Sequence, residues 1–409
     1  MIPDWLAARR ATAARDAESA ALPTEALEVW RYSPIDDLDV GKYAPVSAPS
    51  TADPAIDNAL VPHERAALVV VRDDAIVHLE VSDAAAGLTI TPFADLDAAP
   101  EHLGSALSEP DSFTLRNDAL SQAGFLITID RNAVIEQPVV IVHDITVDGS
   151  LTFPRVLIEA AASSQVTVLD LTISDDVDAL SLPVIEIFAA ENATVKYESV
   201  QALGPRVWQV GTTGARVERD GHLTSAAVAL GGAYARTRLD SRVNGPGAAA
   251  ELVAAYFGSG AQIHDFRTLQ DHDAEKTFSD LLFKGVLTDT SRSVYSGLIR
   301  IRPGAAGSEA FQTNRNLVLG DGAHADSVPN LEIEENDVKC SHASAVGPVD
   351  VDQQYYLEAR GVPSDVAERL IVLGFFDDVL DKTPVAELRA PLRAAIAEKL
   401  AGSSIGGTA

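Results

Sequence analysis

From Gly124 to about Glu335 the chain carries one short β-rich run after another, with no amphipathic helix between them. Residues 125–129, 139–142, 156–158, 166–169, 184–188 and 193–197 are dominated by Val, Ile, Leu and Phe, and Gly, Asn, Asp or Pro punctuate them. A doubly wound parallel sheet needs helical crossovers, so that class is disfavoured. A sandwich of antiparallel hairpins and a parallel β-helix remain. Strong hairpin dipeptides are scarce apart from Asp148-Gly149 and Asp220-Gly221. Residues 161–168 (Ala-Ala-Ser-Ser-Gln-Val-Thr-Val) resemble 189–196 (Ala-Ala-Glu-Asn-Ala-Thr-Val-Lys), and 212–217 is a candidate third copy. Spacings of roughly 22–29 residues suit solenoid coils, each with small residues at a corner and a strand after it. The residues alone favour the β-helix modestly.

The flanks have a different texture. Residues 1 to about 21 read as a short helix ending before Pro23, and 44–57, with three prolines, as a loop. Alternation over 66–81 predicts a two-stranded edge. Residues 96–122, with Leu103, Leu107 and Leu120, are expected to be helical. After Pro348, Val351, Gln354, Tyr355 and Leu357 predict a helix ending at Gly361. A second is expected from near Ser364, and a third with Thr383 as N-cap, Pro384 in its first turn and a stripe of Val385, Leu388, Leu392, Ile396 and Leu400. The expected organisation is therefore a mixed, mainly helical region at 1–120, a β-helix core at 121–345, a helical region at 346–402 and a flexible tail at 403–409.

The formal net charge of −29 argues against nucleic acid and anionic membrane partners, because phosphate binding draws on Lys and Arg. One cysteine, Cys340, excludes an intrachain disulfide framework. Met1-Ile2-Pro3-Asp4-Trp5 lacks a basic region followed by an apolar run, so no signal peptide is expected there, and no apolar run reaches the ~20 residues needed to span a bilayer. A cytoplasmic protein is expected. The chain has no P-loop, dinucleotide fingerprint, nucleophile elbow, His-Glu-x-x-His or Cys-x-x-Cys. An enzyme reading survives only as a β-helix hydrolase or lyase of acidic polysaccharides, which such a negative chain would repel.

Cys340 stands two residues before His342, in Lys339-Cys340-Ser341-His342. On a strand, positions i and i+2 share a face, and thiolate with imidazole suits iron, zinc or an iron–sulfur fragment. From spacing alone a buried, inert cysteine beside a satisfied histidine is the better reading. Two donors also cannot hold a cluster unaided.

The segment 339–347, Lys-Cys-Ser-His-Ala-Ser-Ala-Val-Gly, resembles the Lys-Cys-Ser-His-Gly-Ala-Thr-Val-Gly signature of the SufB/SufD family of iron–sulfur cluster assembly proteins. The resemblance extends through 356–363 and 367–376, through Gln312-Thr313-Asn314-Arg315-Asn316-Leu317, and to Glu28-Val29-Trp30-Arg31-Tyr32. Ala343 and Ser344 depart mildly from the signature. The lone cysteine makes the chain most like the SufD type, with the SufB type as the alternative. The resemblance implies a right-handed parallel β-helix between N-terminal and C-terminal helical regions. It implies a non-catalytic scaffold subunit that pairs with a SufB-like subunit and docks a SufC-like ATPase. His342 and Cys340 then fall at a shared or transient cluster site on the subunit interface. Tyr355, Tyr356, Arg360, Gly361, Phe375 and Phe376 become candidates for partner contact, with ordinary burial weighed equally for the two phenylalanines. No stably bound cofactor is implied. The family complex is also linked to reduced flavin, for which the chain carries no motif. A homodimer that binds metal on its own is the remaining alternative.

Overall fold

The computed structural model describes residues 2–47 and 59–403. Its centre is a parallel β-solenoid of about eight turns. Successive coils feed two sheets, which among the described residues have twelve strands and ten. Gln165–Ser174 lies in the ten-stranded sheet, Val184–Ala189 in the twelve-stranded one, and Thr194–Ala202 returns beside Gln165–Ser174. The repeat between 161–168 and 189–196 is one such coil, with Thr194 directly beside Gln165. The third copy is corrected: 212–217 belongs to the other sheet, where Thr212 pairs with Val184. The true next coil places His222 beside Thr194.

The corner has a left-handed backbone, and five of its seven positions carry Asn, Asp or Gly. Asn132, Ser163, Asn192, Asp220 and Lys276 have φ between 51° and 63°, and Gly247 and Gly307 take the equivalent places at 76° and 75°. Asn, Asp and Gly visit this region at low cost. Each N–H then donates to a carbonyl of the following coil: Asn132 to Ala162, Ser163 to Glu191, Asn192 to Arg219, Asp220 to Pro246, and so on to Gly307 and Asp337. The turn is thus paired in the same direction as the strands. Val, Ile and Ala from both sheets fill the interior of the first coils, including Val139, Ile158, Val168 and Ile187.

Among the described residues five α-helices flank the solenoid: α1 (Asp4–Ser19), α2 (Ser112–Leu120), α3 (Val351–Glu358), α4 (Ser364–Leu380) and α5 (Arg389–Gly402). The region before residue 121 is less helical than the sequence suggests. Ala67–Arg72 pairs parallel with Val139–Ile145 and antiparallel with Ala75–Val81, so the ten-stranded sheet already begins there. Residues 96–111 are not α-helical. Pro100 and Pro110 interrupt them, and the Gly104 N–H turns to the Glu186 carboxylate, 2.8 Å away. Helix α2 starts only where Asp111 caps Phe113 and Thr114.

At the C-terminus α4 and α5 cover the ten-stranded sheet, with Val372, Phe376, Leu392 and Ile396 packed against Val228, Val253 and Phe257. Thr383 is not an N-cap: its hydroxyl donates to the Leu380 carbonyl and closes α4. A 3-10 turn, Ala386–Leu388, precedes α5. The expected loop at 44–57 and tail at 403–409 lie largely outside the described residues. Among the described residues no helix is long and apolar enough to cross a membrane.

Candidate functional site at the open end of the solenoid

Among the described residues, the last coil ends on two strands that each have a neighbour on one side only. His324–Ile333 pairs with Arg292–Ile301, and Val338–Gly347 pairs with Ser308–Val318. The α4–α5 layer lies over the flank of the solenoid and leaves this end open. Both strands expose most of their residues, including Val328, Leu331, Ile333 and Val346 at 37–46%. An exposed edge presents a row of unpaired N–H and C=O groups, ready for pairing with another chain.

Cys340 and His342 sit on that terminal strand, beside Ala310 and Gln312 respectively. Alternation puts them on one face. Ala310 and Gln312 are buried, at 0% and 2% exposure, so this is the inward face at the mouth of the solenoid. Cys340 is half-buried and packs with Ile299, Ile301 and Ala305. Burial pushes its thiol pKa above the ordinary value. His342 is exposed. Lys339 faces outward in an ion pair with Glu309 at 2.6 Å.

A polar floor that sequence reasoning did not assign lies beneath the two donors. Gln312, Asn314 and Asn316, at alternate positions of one strand, all point inward and are at most 3% exposed. The Asn314 amide donates to Tyr256 Oη at 3.1 Å, and Tyr256 Oη donates to Asn316 Oδ1 at 2.6 Å. Gln312 Nε2 donates to Tyr295 Oη, which also meets Thr268 Oγ1 at 3.1 Å. Burial raises the Tyr256 phenol to about 12. Ser327 Oγ donates to Asn314 Oδ1 at 3.0 Å and receives Ser344 Oγ at 2.7 Å, tying both edge strands to the floor. Alternation of three amides was the available signal; their phenol partners lie on distant strands.

One imidazole and one thiol are a partial donor set. Among the described residues no group of three or more His, Cys, Asp or Glu is placed to hold a metal ion. The donor types suit iron or an iron–sulfur fragment, and further donors would have to come from outside this set.

The helical candidates separate by exposure. Tyr355 and Tyr356 are 71% and 56% exposed, and Val351, Val366 and Leu370 are exposed on the same two helices. Arg360 stacks over the Tyr356 ring at 3.5 Å, and Gly361 ends the turn after α3 with φ 88°. A recess of about 440 Å³ is lined by Asp352, Gln353, Tyr356, Leu357 and Ile371. Phe375 is half-buried, with Lys284 Nζ 4.5 Å above its ring and bonded to its carbonyl. Phe376 is 1% exposed and its ring belongs to the core. Trp30 of the 28–32 box is also structural: it is buried and carries the Arg236 guanidinium at 3.7 Å.

The family model for the SUF system FeS cluster assembly SufBD core domain matches residues 143–375. The chain is similar to an iron–sulfur cluster assembly SufBD family protein of Mycobacterium tuberculosis, 43% identical over 194 residues, which cover 46% of this chain and 49% of that protein. The matched region thus spans about half the length of this mycobacterial relative. Nearly full-length similarity extends to the iron–sulfur cluster assembly protein SufD of Bacillus subtilis, at 28% identity over 97% of this chain and 94% of that one. The SufD protein of Escherichia coli is 25% identical over 94% and 90%.

Proposed function

This chain belongs to the SufBD family of the SUF system and is most like SufD, and from that premise we propose that it serves iron–sulfur cluster assembly as a non-catalytic scaffold subunit. The observation that carries the proposal is the open end of the solenoid, where unpaired strand edges and the Cys340–His342 face coincide. A SufB-like subunit pairing there would cover the apolar residues of both edges and satisfy their free backbone groups. It would also bring further donors to the mouth of the solenoid. The nascent cluster is then cargo held between two chains, with exposed His342 as the ligand or positioning group on this side. Cys340 is the second donor, and its raised thiol pKa makes it the weaker one at neutral pH.

The exposed face of α3 and α4 supports docking of a SufC-like ATPase. Val351, Tyr355, Tyr356 and Leu370 are each more than half exposed, and large exposed apolar side chains gathered on neighbouring helices favour an interaction role. The ATPase would supply the nucleotide chemistry for which this chain has no P-loop.

The test is co-expression with SufB-like and SufC-like partners, followed by cluster reconstitution with wild type and His342→Ala. The expected result is a ternary complex in both cases, with cluster yield lost in the variant. Failure to recover any complex would overturn the scaffold reading. An undiminished yield in the variant would remove His342 from the site.

A further inference from the structure

We propose that the outer face of the twelve-stranded sheet carries a binding groove for a small organic anion bearing a phosphate or carboxylate group. The groove has a volume of about 510 Å³, within the ~300–1,000 Å³ typical of small-molecule sites. Its base is formed by Tyr234–Val243, Ile263–His272 and Arg292–Ile301, and its wall by Val29, Trp30 and residues 108–111. Arg236, Arg238, Arg242, Arg267, Arg300 and Arg302 converge on it, against the carboxylates of Glu109, Asp111, Asp240 and Asp271. Five of the six are ion-paired, Arg236 and Arg267 with Asp265, Arg238 with Asp240, Arg302 with Asp271 and Arg300 with Glu332, which leaves Arg242 as the one of the six without such a partner among the described residues.

The register of the coils creates the pattern. Arg238 lies beside Arg267, and Asp271 lies between Arg242 and Arg300. Leu269 and Leu298 occupy the row between these two polar rows and give the groove an apolar floor.

The arginines have two employments. Arg236, Arg238 and Arg267 hold the N-terminal segments, donating to the carbonyls of Val29, Glu109 and Arg31 at 2.8–3.0 Å. Arg300 and Arg302 pair with Glu332 and Asp271 at 3.0 and 2.8 Å, yet remain 31% and 40% exposed. Arg242 has no ion-pair partner among the described residues, and its buried Nε has no hydrogen-bond partner. Native structures rarely leave such a group unsatisfied. The buried Nε is out of a ligand's reach, but the two terminal nitrogens of the guanidinium are parallel donors that match a carboxylate or phosphate, so an anion fits against Arg242 and Arg300 with its body on Leu269 and Leu298. The site lies on the sheet's outer face, whereas Cys340 and His342 face the mouth of the solenoid.

Calorimetric titration of the full chain at low salt, with pyrophosphate and citrate in separate runs, tests this. The expected result is one saturable site per chain for at least one probe, the better probe identifying the phosphate or the carboxylate arm. Arg242→Gln weakens that binding at least tenfold, while Arg206→Gln, on an exposed arginine elsewhere, leaves it unchanged. Arg300→Gln reads the same loss should Arg242→Gln fail to fold, and thermal melts report which variants are native. Absence of saturable binding by both probes in the millimolar range overturns the proposal, as does equal binding by wild type and a folded Arg242→Gln protein.

Discussion

At the residue scale, backbone proximity matters more here than side-chain chemistry, because coils stack only a strand spacing apart. A Cβ on Gly245 would lie 1.9 Å from the Arg219 backbone nitrogen, which cannot rotate away. Gly245→Ala is therefore expected to destabilise the chain by about 1–3 kcal/mol, by the usual cost of overpacking, measured as a shift in the denaturation midpoint. A second residue-scale prediction concerns Cys340. Burial favours the protonated thiol and the thiolate is the nucleophile, so alkylation by iodoacetamide near neutral pH should be slower than that of a small free thiol. It should accelerate as pH rises. A rate equal to the free thiol at pH 7.5 would contradict the placement of the side chain.

At the scale of elements, the C-terminal layer is held by a buried acid. The Glu198 carboxylate accepts the Val385 N–H at 2.7 Å, and burial, the largest influence, raises its pKa to about 7. The folded chain then binds a proton that the unfolded chain has released between pH about 4.5 and 7. Stability should consequently fall as pH rises through that window. Glu198→Gln should flatten the slope, measured by denaturation at several pH values; an unchanged slope would assign the dependence to other groups. The same layer separates packing from docking. Phe376→Ala should cost about 3–5 kcal/mol as a large core truncation. Tyr355→Ala should stay within about 0.5 kcal/mol of wild type while weakening retention of a SufC-like ATPase.

Much of this was legible in the chain and some was not, for definite reasons. The run of strands without crossover helices pointed to the solenoid, and 161–168 against 189–196 revealed one true coil. The assignment of 212–217 failed because strands of both sheets carry the same apolar alternation, and only pairing register distinguishes them. The helix expected over 96–122 shrank to α2 because Glu186, far along the chain, captures backbone donors of the preceding strap. The adjacency of Cys340 and His342 followed from strand alternation. Their polar floor did not, since Tyr256 and Tyr295 lie on other coils. The arginine groove was hidden likewise, its residues spread from 236 to 302 until stacking gathers them.

At the scale of the whole molecule, one end of the solenoid is left incomplete. Among the described residues both ends of the two sheets finish on strands with a single neighbour, but Ala75–Val81 and Leu88–Pro92 at the first end are mostly covered, whereas the two strands of the last coil expose most of their residues. Such edges invite pairing unless a partner occupies them. The most direct test is co-purification of a SufB-like subunit with wild type and with a chain carrying Leu331→Asp and Val346→Lys, both at exposed edge positions. The variant is expected to keep its thermal stability and lose the partner. Retention of the partner by a natively folded variant would contradict the assignment of the open end as the pairing surface.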